Sequence, residues 1–120
     1  MDGSEQTNFA RGLPRAERIA RLNDKLRISG LGGRIMVTRG VQALPGFSTM
    51  ALVHALRAYD GFDADNDPHG ERDFGDLELW GAELLWKIDY YDTALVWASP
   101  DPADPAVTVR ILTVLLATEY

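Results

Sequence analysis

The chain has 120 residues, 46% of them hydrophobic, with no cysteine and a formal net charge of −6. That length suffices for one domain with its own core, and the lack of cysteine excludes a disulfide framework and any thiolate-held zinc or iron centre. The charge is uneven: residues 1–59 carry nine Lys/Arg against four Asp/Glu, and residues 60–120 carry three against fourteen, so a +5 half is joined to a −11 half.

No apolar run approaches the roughly 20 residues of a membrane span, and the opening MDGSEQTNFARGL is too polar for a secretory signal, so a cytoplasmic location is expected. Residues 1–12 have no hydrophobic period and read as a flexible tail; residues 13–120 read as a single domain. From Pro14 the pattern becomes helical. Ala16, Ile19, Leu22, the stem of Lys25 and Leu26 recur at three and four, and Gly-Leu-Gly-Gly after Ser29 stops the helix. Arg11, Arg15, Arg18, Arg21 and Arg27 fall on its other faces and read as a solvated row. Without interleaved aromatics, and in an acidic chain, phosphate contact through that row is the weaker reading.

Arg34-Ile-Met-Val-Thr-Arg39, β-branched and flanked by glycines, predicts a first strand. A second amphipathic helix follows over 47–58, with Ser48 as a cap and His54 inside it. From Asp76 the period changes to two: Leu77 and Leu79, a turn at Gly81-Ala82, then Leu84, Trp86, Ile88 and Tyr90 on one face with Lys87, Asp89 and Tyr91 on the other. A third meander strand is expected at 94–98. Three prolines in Ser99–Pro105 break the sheet, and Asp104-Pro105 predicts a helix over 106–119, with strand as the minority option because VTVRILTV is rich in β-branched residues. The fold class is therefore α+β, in the order α-β-α-β-β-β-α, with a four-stranded, largely antiparallel sheet and helices packed on one face. Trp80, Trp86 and Trp97 are assigned to packing.

The stretch Asp60–Asp76, DGFDADNDPHGERDFGD, holds seven carboxylates, His69 and three glycines in seventeen residues. Asx, Pro and Gly make turns by bonding their own backbone, which accounts for much of it. The carboxylates also suggest ligand chemistry. From Asp65 the spacing copies part of a calcium loop, but His69, Arg72 and Asp76 depart from the required oxygen pattern, leaving a looser Ca²⁺ or Mg²⁺ cage of Asp65, Asp67, Glu71 and Asp73 as an alternative. An enzyme would pair His69 with Glu71 or Asp73 and steady charge with Lys87 or Tyr91. The chain carries no nucleophile elbow, phosphate loop or metal-spaced histidine pair. The candidate binding set is Asp63, Asp65, Asp67, His69, Glu71, Asp73, Lys87 and Asp89, and no cofactor is expected beyond that cation.

Asp65-Asn-Asp-Pro-His-Gly-Glu-Arg-Asp-Phe-Gly75, Trp86-Lys-Ile-Asp-Tyr-Tyr-Asp92 and Ser99-Pro-Asp-Pro-Ala-Asp-Pro105 running to Tyr120, with the Leu22–Leu26 helix, resemble an uncharacterised family of small bacterial proteins. It is a domain of unknown function associated with plasmids and integrative elements. The resemblance implies no activity, but it does imply an accessory role on mobile DNA. Arg72 stands where the family pattern has histidine, which speaks against a two-histidine metal site. The expected function is a non-enzymatic module whose acidic surface binds a basic protein; the alternative is a metal-ion-binding protein or metal-dependent enzyme using residues 60–76.

Overall fold

The computed structural model describes residues 12–120; the expected tail, and Arg11 with it, lies outside the described residues except for Gly12. The fold is α+β. Helix α1 (Arg15–Ser29) leads to strand β1 (Gly33–Val37), a single turn of helix α2 (Arg39–Gln42), helix α3 (Thr49–Ala58), and strands β2 (Phe74–Leu79), β3 (Ala82–Tyr91) and β4 (Val109–Leu116). The strands form one mixed sheet in the order β1-β4-β3-β2, in which β1 runs parallel to β4 and the other pairs are antiparallel.

Local chemistry explains most of these elements. Helix α1 ends at Gly30, whose left-handed backbone (φ 72) lets its N–H reach the Leu26 carbonyl. Ser48 caps α3 by accepting the Ala51 N–H at 3.2 Å. In β3 the period of two sends Leu84, Trp86 and Ile88 inward, where they meet Leu112 and Val114 of β4 and Leu52 and Leu56 of α3 in one buried core. α1 closes this layer with Ile19, Ala20 and Leu26. The opposite sheet face bears Arg34, Met36, Lys87, Asp89, Ile111 and Thr113, and among the described residues no α-helix packs on it, while Tyr120 meets Phe74 there at 6.2 Å. Turning back at the C-terminus, Glu119 accepts the Thr38 hydroxyl at 2.8 Å and the Leu116 N–H at 2.7 Å, tying the end of β4 to the start of α2.

Three expectations are corrected. Residues 106–119 are not a helix: Asp104 does cap Ala106, but only a single 3-10 turn follows over Pro105–Val107. β4 then takes a central place in the sheet. Its positions alternate, with Arg110, Leu112 and Val114 buried and Val109, Ile111 and Thr113 half-buried on the other face. With β4 in that place, 94–98 is not a strand. Asp92 accepts the Leu95 N–H with its carbonyl and the Val96 N–H with its carboxylate, folding the segment into a turn joined to the sheet by one bridge, Tyr91 to Ala98. Trp97 is therefore 74% exposed and Trp80 half-buried, while Trp86 alone of the three is fully enclosed. Finally, the hairpin turn is Trp80-Gly81, both with positive φ (55 and 71), and Trp80 rests edge-on against Phe47 at 5.3 Å.

Gly75 marks the tightest packing. A Cβ there would lie 2.5 Å from Trp86 Nε1 and 2.6 Å from Tyr59 Cζ. Gly75→Ala is expected to destabilise the protein by about 1–3 kcal/mol through overpacking, read as a lower urea midpoint with an unchanged slope.

Candidate functional site

The acidic stretch is a structured loop between α3 and β2. Its first residues are set by rings: Tyr59 meets Phe62 at 4.9 Å and Trp86 at 5.4 Å, both edge-on. Asp63 then accepts the N–H groups of Asp65 and Asn66, each at 2.9 Å, while Asn66 reaches back to the Gly61 carbonyl at 2.8 Å. This is side chain to backbone turn chemistry, in which short polar side chains replace a ladder. Asp67 accepts the Arg72 N–H at 3.0 Å and closes the second half of the loop.

The loop is held to the body by its only cation. Arg72 has a left-handed backbone (φ 52), uncommon for a side chain of its size, and its guanidinium grips Asp24 at 2.7 Å and Glu17 at 3.3 Å, both on α1. These contacts hold the Glu17 carboxyl below its ordinary range, chiefly through the Arg72 hydrogen bond, and push Arg72 up, chiefly through Asp24. Beside this clasp, the fully buried Asn23 of α1 donates to the Glu71 carbonyl at 3.0 Å and to the Tyr90 hydroxyl at 2.8 Å, and accepts from Arg110 Nε at 2.9 Å.

The eight candidate residues divide into three places. Asp63, Asp65 and His69 are exposed and Asp67 half-buried on the loop. Glu71 and Asp73 are half-buried and interact electrostatically with Tyr90 and with each other. Burial pushes both carboxyls up, reinforced at Glu71 by Asp73 and at Asp73 by Asp67, and burial likewise pushes the Tyr90 hydroxyl up. Lys87 and Asp89 lie on the open sheet face, paired with each other at 2.6 Å. The ion cage is not assembled. Among the described residues no three His, Asp or Glu side chains are grouped to hold a metal, and Asp67 is engaged by the Arg72 backbone.

The arginine row on α1 is also not a free cationic stripe. Arg15 pairs with Asp101 at 3.1 Å and Arg21 with Glu17 at 3.4 Å. Arg27, expected in solvent, is buried: it donates to the Leu56 and Tyr59 carbonyls at 2.7 and 3.1 Å, capping the end of α3, and its guanidinium lies 5.4 Å from the Phe62 ring centre. His54 stands exposed on α3. The residues that organise the site, Asn23, Arg72, Tyr90 and Arg110, carried one legible signal. Asn23 sits four after Ile19 and three before Leu26, so a polar residue occupies the inner stripe of α1.

Fold and site together define a small α+β domain with one helix-covered sheet face and a clasped acidic loop at one end of the sheet. The family model described as a protein of unknown function, DUF3768, matches residues 37–119, and the chain belongs to that family. Neither a curated protein nor a solved structure matches it.

Arg72→Gly keeps the left-handed backbone and removes the clasp. It should lower stability by about 1–2 kcal/mol, discounted for partial exposure, and raise amide exchange across residues 63–73 more than in the sheet. A second expectation concerns pH. Because Glu71 and Asp73 have raised pKa values in the fold, the folded chain binds protons more tightly than the unfolded one. Their contribution therefore favours folding below the ordinary carboxylate range and is lost as pH rises through the raised values. The double variant Glu71→Gln with Asp73→Asn should melt higher than the wild type at neutral pH, with the gap closing on acidification through that window. Equal melting temperatures at neutral pH would contradict the assignment.

Proposed function

We propose that this chain is a non-enzymatic, cytoplasmic interaction module whose acidic loop binds a basic protein, in an accessory, regulatory or counter-defence role on mobile DNA. One observation carries the reading. None of the seven carboxylates between Asp60 and Asp76 lies within ion-pair distance of a cation among the described residues, because the loop's own Arg72 is committed to Glu17 and Asp24. Folding leaves the loop's acids without a direct ion pair, and Arg15 and His69 act on Glu71 only from beyond that distance. An acidic surface of this kind on an ordered loop favours fast, salt-sensitive association with a surface of opposite charge. The loop conformation is fixed by its own turn bonds and by the clasp, so binding need not pay to order it. Among the described residues no helix is long and apolar enough to cross a membrane. The mobile-DNA context rests on the resemblance of the Asp65–Gly75, Trp86–Asp92 and Ser99–Tyr120 strings and the Leu22–Leu26 helix alone.

The residues for the test are those that the turn does not use. Asp60 and Asp65 are exposed, and their carboxylates make no hydrogen bond among the described residues. Wild-type protein and the Asp60→Lys, Asp65→Lys double variant would each be immobilised and exposed to host extract, and any retained protein identified and titrated. The expected result is a basic protein bound with an affinity that drops about tenfold or more in the variant and at high salt. Retention of the same partner with equal affinity by the variant, or no basic partner at all, refutes the proposal.

A further inference from the structure

The two edges of the sheet are protected very differently. On β2 the exposed Asp76 and Glu78 put negative charge along the edge. At the other edge, β1 has no proline, bulge or inward-pointing charge, the usual devices against strand pairing. Gly33, Arg34 and Met36 are exposed, and nearby Ile28 and Leu31 are 45% and 59% exposed.

The direction of the free backbone groups follows from the β1–β4 register. Val37 lies opposite Val114, and the Thr38 N–H donates to the Val114 carbonyl at 3.0 Å. In a parallel pair the N–H and C=O of one residue point to the same side, so Arg34, Met36 and Thr38 bond to β4, and Gly33, Ile35 and Val37 point away from the sheet. Of these outward groups, the Val37 carbonyl accepts from Gln42 Nε2 at 2.9 Å. Among the described residues no strand lies beyond them.

We propose that this edge receives β1 of a second copy, antiparallel, on a two-fold axis at Ile35, giving one continuous eight-stranded sheet. The arrangement is self-complementary. Ile35 would exchange both hydrogen bonds with the partner's Ile35, and Gly33 would meet the partner's Val37. Arg34 would lie opposite the partner's Met36 on the open face, so the arginine stem covers the methionine and no like charges stand directly across. The net charge of −6 does not oppose this, because the chain's acids lie in the second half and β1 carries only Arg34. The proposal is independent of the acidic-loop reading, since it uses the other edge of the sheet.

The test is sedimentation equilibrium of the full chain with two substitutions at Met36, whose side chain is 54% exposed and outside the core. The wild type is expected to be a concentration-dependent dimer. Met36→Glu places a carboxylate opposite the partner's Arg34 twice and should tighten the dimer roughly fivefold, and Met36→Lys should weaken it by a similar factor. A wild type that stays monomeric at hundreds of micromolar overturns the proposal. So does a dimer that responds to neither substitution, or one that Met36→Lys tightens and Met36→Glu weakens; that last result would indicate an acidic segment as the natural occupant of this edge.

Discussion

The architecture depends on one buried amide. Asn23 has no solvent contact, and a polar group without partners in that position would cost several kcal/mol. Its environment leaves no choice of orientation. Arg110 is a donor only, so Oδ1 must face it; the Glu71 carbonyl is an acceptor only, so Nδ2 must face that. The remaining Nδ2 proton goes to Tyr90, whose hydroxyl therefore accepts. Through these three bonds one side chain of α1 sets the start of β2, the end of β3 and the start of β4. Arg110 in turn is buried with no carboxylate in contact, held by Asn23, the Pro102 carbonyl and the face of Tyr90 at 5.1 Å. Burial lowers its pKa, and Tyr90, then Glu71, oppose that drop. The half-buried acids of the loop thus have a structural counterpart in a buried cation that they do not touch.

The charge asymmetry of the chain resolves in an unexpected direction. A basic N-terminal helix next to an acidic loop suggests that one neutralises the other. Instead, the loop's single arginine grips the helix's acids, and the helix's arginines go elsewhere: Arg27 to carbonyls at the end of α3, Arg15 to Asp101. The geometry explains the reversal. Glu17, Asp24 and Arg27 lie beside the inner stripe of α1, where the loop and α3 arrive, whereas Arg15 reaches the Asp101 turn before β4. The clasp consumes positive charge at the loop, so docking leaves the loop more acidic towards solvent than its composition alone would make it.

What was legible beforehand follows the strength of each local signal. The β2–β3 hairpin, the caps on α1 and α3 and the inward set Leu84, Trp86 and Ile88 were all readable, because period two and cap chemistry act over a few residues. β4 was misread because a good cap at Asp104 preceded a segment whose polarity runs against its burial: Arg110 is buried on the helix-covered face while Ile111 lies on the open one, so burial alternates and hydrophobicity does not. The error at 94–98 follows from that one, since a sheet neighbour of β3 had to be found somewhere. Arg27 was invisible as a core residue for a different reason, and Asn23 was marked only by its place on the inner stripe of α1. Hydrophobic patterning scores a polar side chain as outward, and only the partners, brought from residues 56–59, 71, 90 and 110, make burial affordable. The acidic loop was readable as turns, but its clasp was not, because Arg72 and its partners Glu17 and Asp24 are separated by about half the chain.

The sheet order gives these features a spatial logic. The acidic loop runs into β2 at one edge, and the undefended strand β1 lies at the other, with β4 and β3 between them. Strand pairing at β1 would add a second sheet on the side away from the loop and leave both loops free. At a strand spacing of about 4.8 Å, the two outermost strands of an eight-stranded sheet would stand about 34 Å apart. Two identical acidic surfaces at that separation, facing outward and related by a two-fold axis, suit a partner that is itself symmetric or carries repeated basic sites, where the second contact forms at a high effective concentration. The acidic face need not then be strong by itself. The asymmetry between an acidic edge at β2 and an edge at β1 that carries only Arg34 is what keeps the two proposed contacts apart, and both edges follow from where β4 inserts between β1 and β3.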